Sequence, residues 1–195
     1  YEITKLLYSS FTGFNDLRFR SSSFLSHDER YTFENTHLNQ ELLGIECKSA
    51  LSIEQVISRI KRLAKMGFTV IAIDYLQRIK SKNENRASEL EDYSIRIADS
   101  ARQNNVSIIL LSQLNAMAEN PKEPPNMGSL KGSGGIGEAA DSIILFDNLY
   151  RRTKNENDKN KIDLYFEQRY GDSGRLQIEA DLGSCRFNNL TNIER

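Results

Sequence analysis

Tryptophan is absent from the 195 residues, histidine and cysteine occur twice each, and proline three times. Cys47 and Cys185 lie far apart, with no C-x-x-C partner and no histidine cluster, which excludes both a zinc-site pattern and a disulfide framework. The two thiols read as small buried hydrophobes in a reducing compartment. His27 and His37 stand in polar surroundings and read as surface side chains. No stretch approaches the roughly 18 apolar residues needed to span a bilayer and no signal-like start is present, so the expected location is the cytoplasm. Net charge is nearly missing as well, at -1. Binding to a polyanion would therefore depend on local patches, or on surfaces brought together by assembly. With 38% apolar and 27% charged residues and few prolines, burial can offset the entropy of ordering, which excludes a disordered chain. The first residue is Tyr1 rather than methionine, and the expectation is a piece of something longer.

At 195 residues the chain can form one domain with a sizeable core, or one domain plus a small appendage. Ile3, Leu6, Leu7, Ser10 and Phe11 have helical spacing, and one or two packed helices are expected before Gly44. Ser52, with Gln55 three residues on, forms a capping box for a helix whose apolar face is Ile53, Val56, Ile57, Ile60, Leu63 and Ala64; Gly67 closes it. The opposite side carries Arg59, Lys61, Arg62 and Lys65, a solvated basic face. Three apolar runs without alternation, Phe68 to Asp74, Val106 to Gln113 and Ser142 to Phe146, predict strands buried on both faces. A helix over Arg86 to Asn105, with Leu90, Tyr93, Ile97, Ala98 and Ala101 on one side, separates the first two. Strands alternating with helices predict an α/β fold with a mainly parallel sheet flanked by helices. Residues 151–161 are polar and aperiodic and read as a surface loop, after which alternating segments joined by YGDSG predict a C-terminal antiparallel hairpin.

In open α/β sheets chemistry collects at the carboxyl ends of parallel strands. Here those ends carry Asp74, Ser112 with Gln113, and Asp147. An acid at such a place can steer a divalent cation beside a polyphosphate, and a glutamine on the neighbouring strand can sense the terminal phosphate. Strand ends are also simply where polar residues resume, so the pattern alone fits both readings. The phosphate-cradling motif G-x-x-x-x-G-K-S/T does not occur in the 195 residues. Five glycines between Gly128 and Gly137, with Lys131, form a different loop, able to approach a nucleic-acid backbone closely or to be merely flexible.

IAIDYLQRI, ILLSQLN and LKGSGGIGEAADSIILF, in this order and spacing, resemble the RecA-type ATPase domain of bacterial replicative DNA helicases, the DnaB-like family. YEITKLLYSSFTG, ECKSALSIEQV and FEQRYGDSGRLQIEADLGSCRFNNL extend the resemblance from Tyr1 to about Leu190. It implies a RecA-like P-loop NTPase core, with the phosphate loop expected upstream of Tyr1. The implied function is the motor domain of an ATP-dependent, 5′–3′ type replicative helicase. Its cofactors would be ATP and Mg2+, and its partners single-stranded DNA, further copies of itself in a homohexamer, a primase and a helicase loader.

Residue by residue, the resemblance places Glu2 as the acid that polarises the attacking water. Asp74 becomes the aspartate that holds magnesium through water, and Gln113 the sensor linking phosphate state to DNA grip. Lys131, Gly132 and Gly134 fall on the loop that tracks single-stranded DNA, and Arg169 on the arginine finger that reaches a neighbour's nucleotide. The chain departs from the family in three places. Lys131 stands for an arginine and loses its two-pronged donor, Gly132 stands for an acid, and Glu167 stands for a lysine and reverses a charge. Without the phosphate loop the chain by itself is expected not to hydrolyse ATP. The competing readings are a RecA-type recombinase or clock-type ATPase of the same fold, and a non-catalytic DNA-binding or loading module, which Glu167 would favour.

Overall fold

The computed structural model describes residues 26–28, 31, 44, 46, 50–81, 85–114, 123–130, 134–169, 171–181 and 183–189. The expected helix over residues 3–11, Cys47 and His37 lie outside them. The chain divides into two compact units, one of Cys47–Asp147 with Tyr165–Arg175, the other of Tyr1–Glu46, Asn148–Leu164 and Leu176–Arg195.

The first unit opens with α1, Ile53–Lys65. Its capping box forms as the sequence predicts: Ser52 Oγ accepts from the Gln55 N–H, and Gln55 Oε1 accepts from the Ser52 N–H at 2.9 Å. Gly67, at φ +92°, supplies the left-handed residue that ends the helix without a side-chain clash. Strand β1 (Val70–Ile73) follows, then α2 (Arg86–Asn104), whose N-terminus is capped by Asn85 and whose C-cap Asn105 is left-handed at φ 52°. Strand β2, Ser107–Leu110, pairs with β1 in parallel, Val70 opposite Ser107 and Ile73 opposite Leu110.

Ile53, Val56 and Ile60 of α1 join Leu90, Tyr93 and Ile97 of α2 in one core, which Ile71, Leu76 and Leu145 complete. Each such side chain removed from water stabilises by about 1.5–3 kcal/mol before entropy is counted. The described residues do not provide the burial on both strand faces that the apolar runs predict. Ile71 is buried and Ile73, Ile108 and Leu110 pack against the core, but Val70, Ile109 and Leu111 on alternate positions are 56%, 56% and 44% exposed. The described helices cover one side of the sheet and leave the other bare.

Helix α3, Gly134–Ala139, lies on α2, and two glycines of the glycine-rich loop have a packing role there. A Cβ on Gly135 would overlap the Glu91 side chain, and one on Gly137 would fall 2.6 Å from Met127 Cε. Strand β3 (Ser142–Asn148) is not paired with β2; between them lies a cavity of about 760 Å³ lined by Ile108, Leu110, Ile143 and Leu145 among others.

Helix α4, Leu149–Thr153, precedes strands β4 (Lys161–Gln168), β5 (Gly174–Asp181) and β6 (Arg186–Asn189). The four-stranded sheet runs β3-β4-β5-β6, and β5 pairs with β6 antiparallel, Ile178 opposite Asn189. The expected α/β class, parallel pairing and C-terminal antiparallel strands are therefore present. The second unit has its own small core of Ile162, Ile178 and Ala180. Residues 151–161, expected to be an irregular loop, are largely helical turns. Asn148 Oδ1 caps the Arg151 N–H at 3.0 Å, Thr153 Oγ1 donates to Asp158 at 2.7 Å, and Tyr150 donates to Glu156 at 3.0 Å. Polar side chains rather than an apolar face hold these turns.

Candidate active site

Parallel pairing of β1 with β2 sets Asp74 and Gln113 at neighbouring strand exits, as the sequence predicts. Asp74 follows the last residue of β1 and is exposed, with no hydrogen bond or ion pair to another described residue. The Asp74–Tyr75 peptide bond is cis. Leu76, fully buried, anchors a single 3-10 turn over Leu76–Arg78, and its N–H donates to the Leu111 carbonyl at 2.9 Å. The Leu111 N–H donates to the Ile73 carbonyl at 3.1 Å, so the ladder is prolonged just past the strands. Gln113 is exposed and its side-chain amide points to no described partner, while its backbone is held by Gln77.

A buried clamp fixes the turn that follows Asp74. Arg86 Nη2 donates to the carbonyls of Gln77 and Ile79 at 2.9 and 2.8 Å, and Arg86 Nη1 meets Glu89 Oε2 at 2.7 Å. Glu89, 5% exposed, also accepts from Ser81 Oγ at 2.7 Å and from the Tyr93 hydroxyl at 2.7 Å. Burial first, and then the bond to Glu89, push the Tyr93 hydroxyl up to about 12. The clamp escaped sequence reading because Tyr93 fits the apolar helix face; the available signal was the i,i+3 and i,i+4 spacing of Arg86, Glu89 and Tyr93.

The remaining candidates are placed as follows. Gly134 is the first residue of α3. Lys131, Gly132 and Glu2 lie outside the described residues, but Leu114, next to Gln113, bridges antiparallel to Leu130, next to Lys131. Arg169 is exposed just after β4; its N–H donates to the Asp141 carbonyl at 2.9 Å and its guanidinium to the Glu138 carbonyl at the end of α3. Glu167 is half-buried. Asp147, expected at a strand exit, instead lies inside β3 and is 6% exposed, because the strand continues to Asn148. His27 is exposed, as expected, and Cys185 is half-buried and not in a disulfide. No described helix is long and apolar enough to cross a membrane.

Comparison with known proteins bears on the fold and the family. A solved structure of a DnaB-like replicative helicase, described with its interactions with primase, superposes with a TM-score of 0.80 at 22% identity, over 95% of this chain and 48% of that one. A second solved structure, of an ATPase domain, gives 0.81 at 22% identity, over 95% and 69%. These likenesses fix the fold as the RecA-like one. In sequence, the chain is 34% identical over 148 residues to a probable replicative DNA helicase of Trieres chinensis, covering 70% of this chain and 32% of that protein. It is 32% identical over 165 residues to the replicative DNA helicase DnaB of Buchnera aphidicola, covering 80% and 36%. The chain thus spans about a third of the length of the curated relatives it matches. The DnaB-like helicase C terminal domain family profile matches residues 2–189, and the chain belongs to that family.

Proposed function

We propose that residues 1–195 act as one domain, the greater part of the ATP-driven motor of a replicative DNA helicase that moves along single-stranded DNA and opens duplex. The observation that carries this is the exposed Asp74 carboxylate, without a partner among the described residues, beside Gln113 at adjacent parallel strand exits in a chain of this family. Among the described residues no group of three or more His, Cys, Asp or Glu could cage a metal ion. A single hard carboxylate oxygen fits a magnesium ion that brings water and phosphate as its other ligands. When bound with ATP, that ion neutralises charge on the phosphate oxygens.

The chain's own residues then divide the work. With ion and nucleotide bound, Asp74 would hold the ion through water, Gln113 would sense the terminal phosphate, and Glu2 would polarise the attacking water. Arg169 of one subunit stabilises charge at a neighbour's nucleotide, and Lys131, Gly132 and Gly134 follow the DNA backbone. Assembly is a homohexamer in the cytoplasm, served by primase and a loader. The 195 residues hold no G-x-x-x-x-G-K-S/T loop, so the strongest phosphate contacts come from outside them.

A full-length form should hydrolyse ATP faster with single-stranded DNA and unwind duplex, and Asp74→Asn should abolish both while leaving thermal unfolding unchanged. Retention of hydrolysis by Asp74→Asn would refute the site. Micromolar nucleotide affinity in the 195-residue chain alone would refute the need for outside phosphate contacts. DNA binding without hydrolysis, persisting in Glu167→Lys, would favour a non-catalytic module.

A further inference from the structure

Beyond the two backbone bonds of Leu111, to Ile73 and from Leu76, the ladder between the β1 and β2 segments runs out, and the Gln77 side chain takes its place. Its amide faces the Gln113 segment as a peptide group would. Nε2 donates to Ser112 Oγ at 2.9 Å and lies 3.5 Å from the Gln113 carbonyl, while Oε1 accepts from the Gln113 N–H at 3.2 Å. Gln77 is itself immobilised from both sides. The buried Leu76 precedes it, and its own carbonyl accepts from Arg86, which is pinned by Glu89. One residue past Gln113, Leu114 bridges to Leu130 at the entrance to the Lys131 loop.

We infer that Gln77 is a positioning residue that locks the Gln113 backbone to the Asp74 turn, so that a change at either is transmitted to the Leu114–Leu130 bridge and the loop beyond it. The inference rests on the helicase reading above and adds to it the part that joins the nucleotide side to the DNA side. A side-chain amide suits this role: it pairs with a backbone in both directions, and it can let go without unfolding a strand. A direct peptide ladder would not release so locally.

Three full-length variants separate the contributions. Gln77→Leu keeps the volume and loses both hydrogen bonds. Gln77→Glu keeps the acceptor for the Gln113 N–H, and the Ser112 hydroxyl can turn to donate. Ser112→Ala removes one arm only. The first readout is the ratio of DNA-stimulated to unstimulated ATP hydrolysis, expected to fall roughly three- to tenfold in Gln77→Leu, by less in Ser112→Ala, and to be largely restored in Gln77→Glu. The second is hydrogen exchange over peptides covering 112–114, expected to quicken in Gln77→Leu while 107–110 stays protected.

A residue that only stabilised the fold would lower the unfolding temperature and leave the ratio alone. An unchanged ratio in Gln77→Leu, or unchanged exchange at 112–114, overturns the inference while the helicase reading stands. Wild-type protein without DNA-stimulated hydrolysis overturns both.

Discussion

Removing the carboxylate of Glu89 is the most direct test of what holds the Asp74 turn in place. In Glu89→Ala three donors lose their acceptor at once: Ser81 Oγ, Arg86 Nη1 and the Tyr93 hydroxyl, each now at 2.7 Å. Their losses are unequal. Tyr93 can fall back on the Lys80 carbonyl, 3.0 Å away, and Arg86, whose side chain is 32% exposed, keeps two carbonyls and some water. The expected cost is therefore about 2–4 kcal/mol, below the full cost of stranding a buried ion. Glu89→Gln preserves volume and one acceptor but must present an NH2 group to one of three donors, and should cost about 1–2 kcal/mol. Urea unfolding of the 195-residue chain, followed by circular dichroism, measures both. Against a typical domain stability of about 5–15 kcal/mol, the larger loss is easily resolved. The double variant Arg86→Ala, Glu89→Ala should fall short of the sum of the singles by about 1 kcal/mol or more. A Glu89→Ala protein within about 0.5 kcal/mol of wild type, or strict additivity in the double variant, would show that the clamp contributes nothing to the turn.

Tyr93 and Gly135 offer tests of local geometry. Because the folded-state value of Tyr93 is raised from 10.0 to about 12, folding favours its protonated form. Its contribution is complete below pH 10 and is lost as pH rises through about 12, so the stability advantage of wild type over Tyr93→Phe should shrink across that window; a constant difference in pH-dependent unfolding would contradict the assignment. Gly135→Ala should destabilise by about 1–3 kcal/mol as the new methyl displaces Glu91, and Gly135→Ala with Glu91→Ala should recover part of it in thermal melts.

Where local chemistry dictates structure, the sequence was transparent. Ser52 with Gln55 before α1 and Gly67 after it each mark a boundary through one cap or one backbone angle, and both boundaries lie where they were read, while α2 ends one residue short of its expected end because Asn105 turns left-handed. Asp74 and Gln113 were legible because parallel pairing puts consecutive strand ends side by side. Properties set by distant neighbours were not legible. Val70 and Ile109 are apolar enough for two-sided burial, yet nothing among the described residues covers them. Asp147 looked like a strand terminus because a charge follows SIILF, whereas tertiary packing carries the strand through it. Gln77, in a stretch already read for its aspartate, had no pattern to set it apart; its importance depends on Ser112 and Gln113, 35 and 36 positions away.

The side of the β1–β2 sheet that no described residue covers has a practical consequence for anyone handling this chain. Val70, Ile109 and Leu111, with Ile144 and Phe146 half or more exposed on β3, offer greasy surface where most isolated proteins keep charge. Self-association should therefore rise with concentration and fall when lysines replace Ile109 and Ile144. Dye fluorescence and sedimentation should report that crowding long before any loss of secondary structure does.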